Sequence, residues 1–397
     1  MKMYFRMSMP VYAAFAAVMV LLSCNGGGKQ TAGDLPTIEI RTSSAIQWDK
    51  KTSADLHFKD VDDSVTDRCT VKFRGGASSK YPKHSYSVKF SRHHSFCHLP
   101  ASKSWILNAS YIDKTFMRHK LCYDLFRQMG DYDMAAKCAY VRVKENGNPQ
   151  GLYILMQRLN RSALGVDKSD PEAVVFKDPK VFFAETPDLE GLGPNIHEQT
   201  WPEFEVSDKS YMIDSLRNFI LNTPDNVFYE RVGQLFDMRN IVDWHLLLLF
   251  SNAGDGVLKN FYLYKIDSKT PYRIAIWDCD HSFGRDGDNE KNMLKHLLGD
   301  QRNILLNRLL QNESYKRALS RRWKQLRDSG VFSYDNIKNM MTENHKYIRC
   351  GIEENIELWP FDSEFYYDSA DYVEECELLL EFVKLNLEVL DKRFGYQ

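Results

Sequence analysis

The segment NAGDGVLKNFYLYK, residues 252–265, places a carboxylate and an amide between two different apolar patterns. The stretch before it, MRNIVDWHLLLLF (238–250), is apolar on nearly every face at its end, which predicts a buried helix. The last six residues, which begin at Asn260, alternate between two faces as a β-strand does. Asp255 therefore lies in a loop between a buried helix and a strand, five positions before Asn260.

The next segments along the chain, YRIAIWD (272–278) and WDCDHSFG (277–284), predict a second strand that ends in two aspartates. If Asp278 and Asp280 both stay extended, they share one face at roughly 6.6 Å of rise. Two carboxylates on one face repel each other unless a cation neutralises them, and Mg²⁺ takes one or two carboxylates together with phosphate oxygens. The apolar residues before them argue against two solvated turn carboxylates, so we predict a site for Mg²⁺ or Mn²⁺.

A third segment, RGGASSKYPKHSYSVKF (74–90), joins two predicted strands by a basic turn that is rich in glycine and serine. Free backbone N–H groups, hydroxyls and cationic side chains in such a turn suit phosphate oxygens. An ordinary polar hairpin gives the same pattern. Arg74, Lys83 and Lys89 are the candidate phosphate contacts, with Lys89 preferred because it lies inside the second strand.

The interval between Asp255 and Asn260 is that of the protein-kinase catalytic loop, D-x-x-x-x-N. In that loop the Asp accepts the proton of the substrate hydroxyl and the Asn holds a second Mg²⁺. The interval alone is a weak signal, because a loop Asp that caps a turn also produces it. The order of the predicted elements is stronger: glycine-containing turn, strand lysine, helix, hairpin, helix, Asp/Asn loop, hairpin and strand-end Asp follow one another as in the kinase fold.

The whole chain has an ordinary globular composition: 397 residues, 43% hydrophobic and 27% charged, with a formal net charge of −2. Its charge balance gives no support for binding nucleic acid or a membrane surface. The fold class that we predict is α+β: a bilobal, protein-kinase-like fold with a strand-rich N-lobe (36–160) and a mainly helical C-lobe (161–397). In the N-lobe, a helix is predicted within 113–130 and a hairpin within 139–157, around an Asn-Gly turn.

The N-terminus, MKMYFRMSMPVYAAFAAVMVLLSC, has the basic start and short apolar core of an export signal, and its apolar core is too short for a membrane span. Its end, LLSC, resembles a bacterial lipoprotein box, in which Cys24 becomes the acylated first residue; an uncleaved anchor is the alternative. We therefore predict a signal peptide (1–23), a flexible tether (24–35) and a lipid-anchored, extracytoplasmic protein that faces the periplasm rather than the cell surface. The seven other cysteines show no C-x-x-C pair and no zinc spacing.

On these motifs the chain resembles the spore-coat CotH-type kinases. The carriers of the resemblance are the turn at 74–90, the segments WILNASYIDKTFMRHKLCYDLFRQMG and GLYILMQRLN, and the DGVLKNFYLY and WDCDHSFG motifs. The resemblance implies an atypical kinase of the secretory route that uses ATP and a divalent metal to phosphorylate Ser or Thr of exported proteins. It also implies a nucleotide contact at Gln157, where family members often have Glu.

Two other functions use the same residues. Gln157 and the scarcity of ATP outside the cytoplasm favour a kinase-shaped surface scaffold or adhesion protein that has lost catalysis. A metal-dependent phosphoesterase would use the same aspartates, but such enzymes usually want histidine ligands, and only His281 is adjacent. The acid on the predicted helix stays open between Asp113 and Asp124, and Arg118 can instead orient a neighbouring carboxylate.

Overall fold

The computed structural model describes residues 35–185, 193–285, 298–361, 365–366 and 368–397. The predicted signal peptide, Cys24 and all of the predicted tether except its last residue lie outside these ranges. Among the helices that the model describes, none has the length and apolar character needed to span a membrane.

The described residues form twelve strands and eight α-helices. The strands are β1 (Thr37–Arg41), β2 (Thr52–Lys59), β3 (Ser64–Arg74), β4 (Ser85–His94), β5 (Ser102–Asn108), β6 (Met134–Ala135), β7 (Cys138–Glu145), β8 (Asn148–Gln157), β9 (Val174–Lys177), β10 (Gln199–Trp201), β11 (Phe261–Lys265) and β12 (Arg273–Ile276). The helices are α1 (Arg118–Met129), α2 (Ser210–Asn222), α3 (Asp225–Leu235), α4 (Met238–Ser251), α5 (Ile304–Leu309), α6 (Glu313–Asp328), α7 (Tyr334–Leu358) and α8 (Tyr372–Phe394).

Seven strands of the N-terminal part close into a barrel in the order β1-β2-β3-β4-β5-β8-β7. Neighbours are antiparallel except β1 and β7, which pair in parallel and close the barrel. Alternate residues of β2 are buried and exposed, as period-two patterning requires. The predicted hairpin is confirmed as β7 and β8, and its turn residues Asn146 and Gly147 have φ of 49° and 83°, which Asn and Gly adopt most easily.

The C-terminal part packs its helices against a second sheet, whose order is β10-β9-β11-β12-β6. The predicted buried helix is α4, in which every residue from Asn240 to Ser251 is buried, and Asp237 caps it by accepting the backbone N–H of Arg239. The hairpin of β11 and β12 is also as predicted. Strands β9 and β10 were not predicted, because strands of four and three residues are too short to show alternation.

The fold is therefore α+β, with a strand-rich N-terminal part and a mainly helical C-terminal part, as predicted. Two buried clusters support it: a smaller one inside the barrel and a larger one around α4 and the second sheet. Helix α1 belongs to the larger cluster, although it lies between barrel strands in the chain. Consequently its side chains reach the loops that follow α4 and β12.

Candidate active site

A cleft of about 550 Å³ lies where the end of the barrel meets the second sheet. Of the residues predicted for the site, it brings together six: Arg74, Lys83, Asp255, Asn260, Asp278 and Asp280. Two grooves of about 610 and 780 Å³ are larger, but the group of metal-ligating side chains found among the described residues lies at this cleft. The cleft is therefore the candidate active site.

Asp255 lies in a short 3-10 turn, Gly254–Val257, directly after α4. Its Oδ2 atom is 2.9 Å from Nζ of Lys259 and 3.6 Å from Nδ1 of His281. One third of the Asp255 side chain is exposed, so the carboxylate is open to the cleft. Because His281 also lies 3.9 Å from Oδ1 of Asp280, this imidazole stands between the loop carboxylate and the carboxylates that follow β12.

Asn260 connects three loops of the cleft: its own loop after α4, the loop after β9 and the loop after β12. Its φ is +61°, and its backbone N–H donates to Oδ1 of Asp178 at 2.6 Å. Its side-chain amide donates through Nδ2 to the carbonyl of Asp278 at 3.0 Å. This contact uses the donor of the amide and leaves its oxygen for a ligand.

Asp278 and Asp280 form, with His119 of α1, a group whose ligand atoms all lie within 4.8 Å of one another. The expected extended geometry is wrong: β12 ends at Ile276, and Asp278 has φ of +53°. The two carboxylates therefore meet through a turn in the loop, held because the Asp278 N–H donates to the Tyr123 hydroxyl at 3.0 Å.

The electrostatics of this pair favour a cation. Burial, and then the neighbouring Asp280 carboxylate, raise the pKa of Asp278, although 45% of its side chain is exposed at the cleft. A raised pKa means that the ionised pair is disfavoured without a positive charge beside it. The predicted metal site therefore has the donors and the charge that a divalent cation requires.

His119 meets donor groups at both ring nitrogens. Its Nδ1 atom accepts the backbone N–H of Cys279 at 3.0 Å. Its Nε2 atom is 3.4 Å from the Nδ2 atom of Asn108 and 3.7 Å from Oδ1 of Asp278. His119 therefore lies directly beside the Asp278 carboxylate as the third member of the candidate metal-ligating group.

Arg74 is a candidate phosphate contact that lines the cleft, where its charge also acts on the Asp278 carboxylate. Its guanidinium lies 5.8 Å from the centre of the Trp277 ring and, within the described part of the chain, makes no ion pair or hydrogen bond. Lys177, also in the cleft lining, is instead paired with Asp178 at 2.6 Å. Arg74 is thus the available cation for an anionic ligand.

Lys83 lines the cleft, but its ammonium group is hydrogen-bonded to acceptors of the protein itself. Its Nζ donates to the carbonyls of Ala109 and Leu152 and to Oδ1 of Asn355, and it lies 4.3 Å from the centre of the Tyr153 ring. Burial lowers the pKa of Lys83 well below its ordinary value. Three acceptors nevertheless match the three N–H donors of an ammonium. This lysine ties the barrel to α7.

Lys89 and Gln157 are not brought to the cleft. Lys89 is exposed on β4, where it pairs with Thr70 and Ser104 of the adjacent strands, and the preference for it as phosphate contact does not fit this position. Side chains alternate along a strand, so the sequence alone could not say which face Lys89 takes. Gln157 is buried at the end of β8 and donates to the carbonyl of Pro100.

Sequence reasoning missed Asp178 and His119, and gave His281 no part in the cleft. Asp178 has φ of +50° and accepts the N–H groups of both Asn260 and Phe261, so it shapes the loop from a strand that was not predicted. Its only signal was the Lys-Asp pair that follows the apolar AVVF run. His119 carried none, because Asp278 and Cys279, which it contacts at the cleft, are some 160 positions away in the chain.

The family model described as CotH kinase protein matches residues 71–390, which include every cleft residue named above. The chain belongs to this family. A curated relative, Inner spore coat protein H of Bacillus subtilis (strain 168), is 27% identical over 267 residues, which cover 64% of this chain and 71% of the relative. CotH membership confirms the resemblance and shows a kinase-like protein.

Among solved structures, the Helicobacter pylori proinflammatory kinase CtkA is matched over 90% of this chain and 97% of its own, with 12% sequence identity and a TM-score of 0.29. A TM-score of this size does not establish a shared fold. The description of the fold given above therefore depends only on the contacts within this chain.

Proposed function

We propose that this CotH family member is an atypical protein kinase that transfers the γ-phosphoryl group of ATP to a serine or threonine hydroxyl, with a divalent metal. The observation that carries the proposal is the convergence of Asp255 with the Asp278 and Asp280 carboxylates in one cleft. Phosphoryl transfer requires a group that positions the hydroxyl and charges that stabilise the phosphate oxygens. One carboxylate beside a carboxylate pair is suited to both tasks.

Asp255 is the residue proposed to accept the proton of the acceptor hydroxyl. Lys259 and His281 both contact its Oδ2 atom, and these two contacts restrict rotation of the carboxylate. A base held in one orientation is effective because the hydroxyl must approach it within hydrogen-bond distance.

The donor set fits a hard divalent cation, since it offers carboxylate and amide oxygens. Asp278, Asp280 and the amide oxygen of Asn260 would hold Mg²⁺ or Mn²⁺, which supplies positive charge beside the phosphate oxygens. Arg74 is proposed to contact a phosphate of ATP from the barrel side of the cleft. His119 is proposed to support the Asp278 carboxylate, whose Oδ1 atom is 3.7 Å from its Nε2 atom.

The barrel and the helical part are proposed to act as the N-lobe (36–160) and C-lobe (161–397) of a bilobal kinase-like arrangement. Residues of both ranges line the cleft, which supports this assignment. Export by the signal peptide (1–23), a lipid anchor at Cys24 and a periplasm-facing position are proposals from the sequence. If they hold, the acceptor is a protein of the cell envelope or a secreted protein.

The test uses the full-length protein in detergent with γ-labelled ATP, Mn²⁺ and a generic protein acceptor. The wild type is compared with Asp255→Asn and with Asp62→Asn, an exposed aspartate of the barrel. We expect Asp255→Asn to bind nucleotide as the wild type does, while phosphoryl transfer falls by roughly 10²–10⁴-fold, the effect of losing a positioned base. Asp62→Asn should change neither property.

Three results would overturn the proposal. Full transfer activity in Asp255→Asn would remove Asp255 from the mechanism. A wild type that binds no nucleotide at any metal concentration would favour the scaffold. Release of phosphate without labelling of any protein would favour the phosphoesterase.

A further inference from the structure

Residues 278–285 form the loop that carries Asp278 and Asp280. Buried charged side chains that do not line the cleft hold this loop on the side that faces away from the cleft. Six residues make up this ionic cluster: Asp113, Lys114, Arg118, Arg285, Asp368 and Glu375. Three are cationic and three are anionic, so the cluster is balanced. Arg118, Asp113 and Glu375 are no more than 2% exposed.

Arg118, the first residue of α1, connects the cluster to the loop. Its Nε donates to the carbonyl of Ser282 at 2.9 Å, and its two terminal nitrogens bond Asp113 at 2.6 Å and Glu375 at 3.1 Å. The hydroxyl of Ser282 in turn donates to the carbonyl of Cys279 at 2.7 Å. Cys279 stands between the two metal carboxylates, so this chain of contacts ends at the metal site.

Glu375 of α8 holds the loop at a second point. One of its carboxylate oxygens bonds Arg118 and the other bonds Arg285, the last described residue of the loop. Arg285 also bonds Asp368 at 3.1 Å, and Asp368 accepts from Lys114 at 3.3 Å. A single carboxylate therefore joins α1, α8 and both ends of the 282–285 segment.

Gly284 brings the loop against α8. Its φ is +92°, and a Cβ at this position would lie 3.1 Å from atoms of Leu378 and of Phe382. Only glycine accepts both this backbone conformation and this close approach. The N–H of Phe283 is also used, since it donates to the carbonyl of Ser251 at the end of α4.

We propose that Glu375 is a positioning residue for the metal site: through Arg118 and Arg285 it sets the loop that presents Asp278 and Asp280. The role of Glu375 in catalysis rests on the proposed function. Glu375 is not among the residues that line the cleft. Its effect therefore passes through the loop, as outer contacts of a metal site fix the orientation of the ligands.

The test compares full-length wild type, Glu375→Gln and the matched control Asp391→Asn. Asp391 lies on the same helix, and its side chain accepts from Trp323 and Arg327. Neither of these partners belongs to the loop 278–285. Two quantities are measured: the Mn²⁺ concentration for half-maximal binding of a fluorescent ATP analogue, and deuterium uptake of the peptide that spans 279–285. If Glu375→Gln fails to fold, Arg285→Lys serves as a second variant, because it keeps the positive charge at position 285.

We expect Glu375→Gln to raise the Mn²⁺ requirement about tenfold, as loss of an outer contact does at metal sites. Deuterium uptake in 279–285 should rise as well, and nucleotide binding without metal should stay as in the wild type. Asp391→Asn should lower thermal stability without either change. Equal Mn²⁺ requirement and equal loop uptake in the two variants would overturn the inference. If the wild type binds no nucleotide, the proposed function fails, and the exchange measurement still decides whether Glu375 holds the loop.

Discussion

The side-chain amide of Asn260 donates to the backbone carbonyl of Asp278 at 3.0 Å. This bond joins the loop that carries Asp255 to the loop that carries Asp278 and Asp280. Both residues have positive φ, at 61° and 53°, which L-residues adopt rarely and which functional sites often contain. The two sequence motifs are thus parts of one structure, and the first two predictions below concern the cleft that it lines.

The first prediction concerns the carboxylate pair. Asp278→Asn and Asp280→Asn, made separately, should each raise the metal concentration needed for nucleotide binding by at least about tenfold, with the larger effect for Asp278. The reason is that each change removes a negative charge from the donor set. Titration of the ATP analogue with Mn²⁺ measures this, with Asp62→Asn as control. An unchanged metal requirement in both variants would place the metal elsewhere.

The second prediction concerns the phosphate contact. Arg74→Ala should weaken ATP binding by roughly tenfold to a hundredfold, since a charge-assisted contact contributes about 1.5–3 kcal/mol. Lys89→Ala, on the exposed face of β4, should bind ATP as the wild type does. Isothermal titration of both variants checks the pair. The assignment of Arg74 would be lost if only Lys89→Ala weakened binding.

The third prediction concerns Lys83 as a structural tie. Lys83→Met keeps an apolar stem but removes the donor from the carbonyls of Ala109 and Leu152, at about 1–3 kcal/mol for each that stays unsatisfied, while Oδ1 of Asn355 keeps the N–H of Leu152. We therefore expect a clearly lower urea midpoint than in Lys80→Met, a change at an exposed lysine of the same turn. Equal midpoints, with ATP affinity lost only in Lys83→Met, would return Lys83 to the phosphate site.

The fourth prediction concerns the pH dependence of stability. Burial, and then the charge of Asp243, raise the pKa of Asp133 to about 9, whereas an unfolded aspartate titrates near about 3.9. Between these values the folded protein holds a proton that the unfolded chain has lost, so this group lowers stability as pH rises. Asp133→Asn imitates the protonated side chain and can still accept from Asn240.

Thermal unfolding of Asp133→Asn should therefore match that of the wild type at about pH 3, below the pKa of the unfolded aspartate, and occur at a higher temperature at about pH 8. Asp62→Asn provides the control for loss of a charge. A difference between Asp133→Asn and wild type that stays constant over this range would show that Asp133 does not take up a proton on folding.

The fifth prediction concerns the N-terminus. If LLSC is a lipoprotein box, metabolic labelling with a fatty acid should mark the wild type and leave Cys24→Ala unlabelled. Cys97→Ala, which keeps Cys24, serves as the matched control and should be labelled. Labelling of Cys24→Ala, or no labelling of the wild type, would remove the lipid anchor from the account.

The sequence by itself determined the features whose causes are local. Alternation of apolar residues predicted the two strands beside the 74–90 turn, the Asn146-Gly147 turn predicted the hairpin, and Asp237 predicted the start of α4, because each acts on neighbours within a few positions. The same reasoning located the Asp255–Asn260 loop and the aspartates after β12.

Only the tertiary structure decided which of these residues meet. Arg74 lines the cleft and Lys89 does not, since the closure of the barrel sets which face of each strand is exposed. The tertiary structure tied Lys83 to Asn355, 272 positions later, and Arg118 to Glu375, 257 positions later. Such contacts depend on how separate elements pack in three dimensions, and the spacing of residues along one segment carries no information about partners that lie in another.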